Sequence, residues 1–205
     1  MMRIDALSAQ PDRAGRYRTV FSDGTVLRLY KQTVQDFGLY TGLELTREEY
    51  EKLQSAASQM SAKMRAVRIV SASSVSKRDL EQRLLQKGEK AEDAKNAVRW
   101  MSELSLLDDR KTAEQIVARC ISKGYGLARA KQALYEKRIP KEYWQEVLED
   151  YPDQEEAIRE FIAHHLPEDG DQKAVKKVVD ALLRKGHSYS AIRRAWDRGD
   201  GLEDE

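Results

Sequence analysis

The sequence predicts a mainly α protein: tandem three-helix repeats forming an elongated curved array, preceded by a small N-terminal β-hairpin or three-stranded sheet. Three observations predict it. Apolar residues recur at a fixed period of about fifty: Leu84, Leu134 and Leu182 are separated by 50 and 48 residues, and Leu80, Ala130 and Val178 keep the same spacing. A repeat of this length marks stacked helical units that cover one another's apolar faces. Charged residues make up 35% of the chain, with only 11 Gly and 4 Pro, which suits thin helix-rich units with much exposed surface. The first thirty residues alone alternate with a period of two.

In that first stretch, Tyr17, Thr19 and Phe21 alternate with polar positions, and so do Val26, Arg28 and Tyr30, out of phase with Leu27 and Leu29. Between the two runs lies Ser22-Asp23-Gly24-Thr25, and Asp-Gly is a hairpin signal. Ile4 to Leu7 supplies a third strand, and a short helix is expected over Thr33–Tyr40. Thr46-Arg47-Glu48-Glu49 is a capping box that opens a helix through Leu53, Met60, Met64, Val67 and Val70.

The repeats follow. Ser76-Lys77-Arg78-Asp79 starts a helix that carries Leu80 and Leu84 and ends at Lys87-Gly88. Ala94, Ala97, Met101 and Leu104 form the next stripe, broken at Asp108-Asp109, which cap the helix of Ala113, Ile116, Val117 and Cys120. A helix from Leu127 through Leu134 comes next, then Pro140 and a helix with Trp144, Val147 and Leu148. The last set holds Ile158, Phe161 and Ile162; Val175, Val178, Val179 and Leu182; and Ile192 and Trp196. The expected division is a β-rich segment 1–45, a linking helix with repeat one over 46–109, repeat two over 110–151, repeat three over 152–198 and an acidic tail 199–205.

Composition excludes several functions. Cys120 is the single cysteine, so there is no intrachain disulfide and no multi-cysteine metal site, and its place in an apolar stripe reads as a small buried hydrophobe. No apolar run approaches the roughly 20 residues of a membrane span, and residues 1–5 show no signal-peptide core, so a cytoplasmic protein is expected; a monomer is expected as well. His164, His165 and His187 lack metal-ligand spacing, no phosphate-binding glycine loop occurs, and Asp108-Asp109 read as caps rather than as an acid–base pair. Neither an enzyme nor a cofactor is expected.

The basic residues are the informative ones. Residues 61–149 hold 19 Lys/Arg against 13 Asp/Glu, and residues 173–198 hold 8 against 2. Between them, residues 150–172 hold 1 against 8, and four acids close the chain. Blocks of this kind suit a polyanion, and cations interleaved with aromatic rings can follow a nucleic-acid backbone. The candidate contacts are Arg65, Arg68, Lys77, Arg78 and Arg83; then Lys123, Tyr125, Arg129, Lys131, Lys137 and Arg138; then Lys177, Arg184, Lys185 and Arg194. Lys87, Lys137 and Lys185 equally suit the last turns of their helices.

Four motifs in order resemble the RecX family. Lys77-Arg78-Asp79-Leu80-Glu81-Gln82-Arg83-Leu84-Leu85-Gln86-Lys87-Gly88 is similar to its opening S-x-x-E-L-x-x-K-L-x-x-K-G. Leu104-Ser105-Leu106-Leu107-Asp108-Asp109 is similar to L-x-x-L-x-Y/L-L-D-D, and Ser122-Lys123-Gly124-Tyr125-Gly126 to K-G-x-G. Ala181 to Tyr189 resembles the closing F-L-x-R-R-G-F-S-Y, with His187 where an aromatic is usual. The resemblance covers about residues 60–198. It implies a non-enzymatic modulator, usually an inhibitor, of the RecA recombinase, bound along the RecA–single-stranded DNA filament, with direct DNA contact that weakens with salt. The other reading of the same residues is a helical-repeat adaptor that binds protein and no nucleic acid. A helix-turn-helix reader of DNA would need an exposed recognition face rich in Asn, Gln and Arg, and none dominates.

Overall fold

The computed structural model describes residues 1–167 and 171–197. The expected acidic tail 199–205 and the end of the third repeat at Arg198 lie outside the described residues. The chain divides into two compact units, residues 1–107 and 108–205.

The first unit opens with four antiparallel strands, β1 (Met2–Leu7), β2 (Arg16–Phe21), β3 (Val26–Tyr30) and β4 (Glu44–Leu45), in the order β3-β2-β1-β4. The hairpin forms where Asp-Gly predicts it. Gly24 takes φ +83°, and the Asp23 carboxylate accepts the Thr25 N–H at 2.8 Å. The sheet has one strand more than expected. β4 is two residues long, too short to show any alternation, and pairs Leu45 and Glu44 with Met2 and Arg3. The inner face sends Ile4, Phe21, Leu29 and Leu45 against Tyr50 and Leu53, with the Phe21 and Tyr50 rings edge-on at 5.0 Å.

Helix α1 runs over Lys31–Asp36 rather than Thr33–Tyr40. It stops because Gly38 turns left-handed at φ +56° and the Leu39 N–H folds back to the Val34 carbonyl. Helix α2 (Arg47–Ala72) has the full capping box at Thr46 and Glu49. Its buried centre is Ala62 and Ala66, with Met60, Met64, Val67 and Val70 half-buried beside them. The reason is the partner helix. α4 (Ala91–Glu103) brings Ala94 and Ala97 to the same core, and small side chains on both helices let the backbones approach. Helix α3 (Lys77–Gln86), capped by Ser76, adds Leu80 and Leu84.

The second unit holds α5 (Asp109–Ser122), α6 (Leu127–Glu136), a single 3-10 turn at Lys141–Tyr143 leading into α7 (Trp144–Leu148), then α8 (Glu155–His165), α9 (Gln172–Arg184) and α10 (Tyr189–Asp197). Asp108 caps α5 by accepting the Lys111 N–H at 3.1 Å. Ala113, Val117, Leu134 and Ile139 form one core, and Ile158, Val178, Leu182, Ile192 and Ala195 the other. Gln154 is the N-cap of α8, and the Asp153 carboxylate before it pairs with Arg194 at 3.1 Å.

The fifty-residue period is visible in the geometry. Leu84, Leu134 and Leu182 are all fully buried. Lys87, Lys137 and Lys185 each stand at the C-cap of their helix. The residue that follows each one is left-handed: Gly88 at φ +86°, Arg138 at +54° and Gly186 at +89°. Arg138 holds that conformation without the freedom glycine has.

Candidate nucleic-acid interface

In the second unit, two glycine turns lock together. The Gly126 N–H donates to the Lys185 carbonyl at 3.0 Å, the Ala128 N–H donates to the Gly186 carbonyl at 3.2 Å, and His187 Nε2 lies 3.0 Å from the Gly124 carbonyl. The approach is close enough that a Cβ on Gly126 would stand 2.1 Å from the Gly186 oxygen, and one on Gly186 would stand 2.3 Å from the Arg129 nitrogen. Tyr151 donates its hydroxyl to the Tyr125 carbonyl at 2.5 Å, and burial pushes that phenol up to about 12. Burial also pushes the His187 imidazole below its ordinary value, which favours the neutral ring at pH 7, and because the Gly124 carbonyl can only accept, Nε2 is the nitrogen that carries the proton.

This lock gathers cations and rings. Lys185 Nζ lies 4.8 Å from the centroid of Phe161 and 5.5 Å from that of Tyr125, while Lys123 Nζ lies 6.0 Å from Tyr125. These are cation–π distances. Phe161 also stacks on His165 at 4.0 Å and 16°. Beside the lock is a cleft of about 450 Å³, lined by Leu127, Lys131, Tyr151, Pro152, His187 and Arg194. Arg129 is half-buried, its backbone against Gly186 and its guanidinium 3.3 Å from Glu136.

The remaining candidates divide by what already holds them. In the first unit, Arg65 pairs with the buried Glu89 at 2.7 Å and Arg83 with Asp79 at 3.0 Å. Arg68 is exposed and reaches the Tyr30 hydroxyl at 2.7 Å and the Ala14 carbonyl at 3.3 Å. Lys77 and Arg78 are exposed in the first turn of α3. In the second unit, Arg194 is tied to Asp153, Lys137 and Arg138 stand at the end of α6, and Lys131, Lys177 and Arg184 are exposed. Sequence reasoning missed Phe161, which reads as an ordinary core position between Ile158 and Ile162. Only the fold brings its ring under Lys185.

The arrangement suits binding. Among the described residues no group of three or more His, Cys, Asp or Glu side chains could hold a metal ion, and no helix is long and apolar enough to cross a membrane. Fold and site define a tandem three-helix repeat protein whose interlocked turns present cations beside aromatic rings. Residues 108–148 match the family model described as RecX, second three-helix domain. The regulatory protein RecX of Vibrio parahaemolyticus is 28% identical over 149 residues, covering 71% of this chain and 95% of that relative. The regulatory protein RecX of Salmonella paratyphi A is 30% identical over 112 residues, covering 52% of this chain and 66% of that relative. Two crystal structures share the fold: one of regulatory protein RecX, with TM-score 0.62 and 21% identity over 96% of this chain and 100% of that one, and one of RecX from Lactobacillus salivarius, with TM-score 0.59 and 20% identity over 72% and 99%. The chain belongs to the RecX family of regulatory proteins.

Proposed function

We propose that this chain is a cytoplasmic, non-enzymatic modulator of the RecA recombinase, binding the RecA–single-stranded DNA filament as a monomer and damping recombinase and coprotease activity. In that role it acts in DNA repair, recombination and the SOS response. The observation that carries the reading is the lock at Gly126 and Gly186, which holds Lys123, Tyr125, Lys185 and Phe161 in one group. A fixed cation–ring cluster suits contact with phosphates and unstacked bases. The three repeats over 46–109, 110–151 and 152–198 are the units through which it tracks the filament. Lys131, Lys177 and Arg184, exposed on α6 and α9, supply further charge.

A specific observation favours the second reading, a protein adaptor that does not touch nucleic acid. Arg65, Arg83, Arg129 and Arg194 are each paired with an acid inside the chain. One experiment separates the two. Lys123, Lys131 and Arg184 are reversed to Glu and binding to RecA filaments on single-stranded DNA is measured across salt concentrations. The modulator reading expects at least tenfold weaker binding and a shallower salt dependence, about 0.7 less in log–log slope for each phosphate contact removed. Binding unchanged in both respects supports the adaptor.

A further inference from the structure

The solvent face of the N-terminal sheet has an arrangement the repeats do not explain. Strand register puts Arg16 opposite Tyr30, Arg18 opposite Arg28, and Val20 opposite Val26. Thr19, Phe21 and Leu29 are buried on the other side, so Arg16, Arg18, Arg28 and Tyr30 share the outer face. Like charges directly opposite on paired strands are unfavourable. One nearby acid answers them. Asp12 pairs with Arg16 at 2.9 Å and with Arg28 at 3.6 Å, and hydrogen bonds from Arg16, first from its backbone N–H and then from its side chain, hold that carboxyl below its usual range. Arg18 is exposed and has no ion-pair partner among the described residues. At the strand's end Arg68 reaches in from α2 and fixes the Tyr30 hydroxyl at 2.7 Å.

Arg16 and Arg28 share the one carboxylate of Asp12, and Arg18 and Arg68 add two further positive charges, so this part of the face carries an excess of positive charge. Arg16 and Arg18 are two residues apart on one strand, an advance of about 6.8 Å, and Arg18 and Arg28 sit side by side across the pair. A row of guanidinium groups with this spacing suits successive phosphates of a chain rather than one free anion, and each guanidinium can bind phosphate with two parallel hydrogen bonds. The Tyr30 ring at the end of the row, held by Arg68, gives a base a surface to stack on. We infer that this sheet face binds the phosphate backbone of single-stranded nucleic acid, with Arg18 and Arg28 at its centre and Arg16, Arg68 and Tyr30 around them. Apart from Arg68 it uses none of the cations on the repeats, and it requires no recombinase.

The test uses the full chain and a fluorescein-labelled oligothymidylate, with no RecA present, and reads anisotropy over a salt series. The double variant Arg18→Gln/Arg28→Gln should bind at least fivefold more weakly at low salt, with a log–log salt slope shallower by about 1.4, the value for two phosphate contacts on a single strand. Its melting temperature should equal or exceed that of the unaltered chain, because the opposed like charges are gone. The companion Arg18→Lys/Arg28→Lys keeps the charge and should keep most of the binding. Unchanged affinity and slope in the Gln variant overturn the inference, as does an equal loss in the Lys variant. Intact oligonucleotide binding with weakened binding to RecA protein would also overturn it, and would make the face a protein contact. Because the recombinase is absent from the main assay, failure of the proposed function leaves this result readable.

Discussion

Substituting Gly126 by Ala tests the lock between the two glycine turns with little ambiguity. Gly126 has φ −74° and ψ 165°, a conformation open to any residue, so the change adds no backbone strain of its own. What it adds is a methyl group 2.1 Å from the Gly186 oxygen, 2.3 Å from its carbonyl carbon and 2.5 Å from the His187 nitrogen. All three are backbone atoms, so the turns must move apart by roughly an ångström to regain ordinary van der Waals contact. That movement breaks or stretches the hydrogen bonds from Gly126 to Lys185 and from Ala128 to Gly186. Two such bonds contribute about 0.5–1.5 kcal/mol each and overpacking costs about 1–3, so the expected loss is roughly 2–6 kcal/mol. Gly88→Ala is the control. Gly88 is left-handed at φ +86° with open space where the methyl would go, so it should lose only the roughly 1–2 kcal/mol of that conformation. Urea unfolding followed by circular dichroism reads both. A Gly126→Ala variant within half a kcal/mol of the unaltered protein, or less affected than Gly88→Ala, would refute the close approach and with it the placing of Tyr125 and Lys185.

Other consequences can be checked on the same material. His187 is buried neutral with its pKa depressed, so above its unfolded value near 6.5 it adds no pH dependence. As pH falls below that value the unfolded chain takes up the proton first. Stability should therefore fall until the folded pKa is reached, and the difference between the unaltered protein and His187→Gln should shrink between pH 7 and pH 5. A constant difference over that range would contradict the buried neutral ring. Cys120 is buried and burial pushes its thiol up, so a thiol reagent at neutral pH should modify it slowly in the folded protein and rapidly in urea. Thr46→Ala removes a complete capping box and should cost about 1 kcal/mol in thermal or urea unfolding, with Thr46→Ser near neutral.

Much of the architecture was legible because its signals are local. Asp23-Gly24 set the hairpin, Thr46 and Glu49 set the start of α2, and the spacing of Leu84, Leu134 and Leu182 set the repeat. What failed was either too short or fixed by a neighbour. β4 has two residues and no pattern. α7 shrank to five residues after a 3-10 turn. Ala62 and Ala66 outrank Met60 and Met64 in the core because α4 offers alanines in return, which a single helix's stripe does not reveal. The candidate site divides the same way. Gly124-Tyr125-Gly126 and Lys185-Gly186-His187 were each visible as helix punctuation, but nothing in either segment said that the two turns interlock. Arg65 and Arg83 were recognisable as cations, and Asp79 lies four residues before Arg83 on one helix, but Glu89 beside Arg65 could be found only in three dimensions. The arginines of the sheet could have been read earlier, since hairpin register alone sets Arg18 across from Arg28.

Action on a recombinase filament is read straight from RecA ATPase on single-stranded DNA, with filament length followed in parallel, as this protein is titrated in. Both should fall as its concentration rises, an effect lost when Lys123, Lys131 and Arg184 are reversed and weakened as salt is raised. ATPase and filament length that hold steady through micromolar protein at low salt would contradict it.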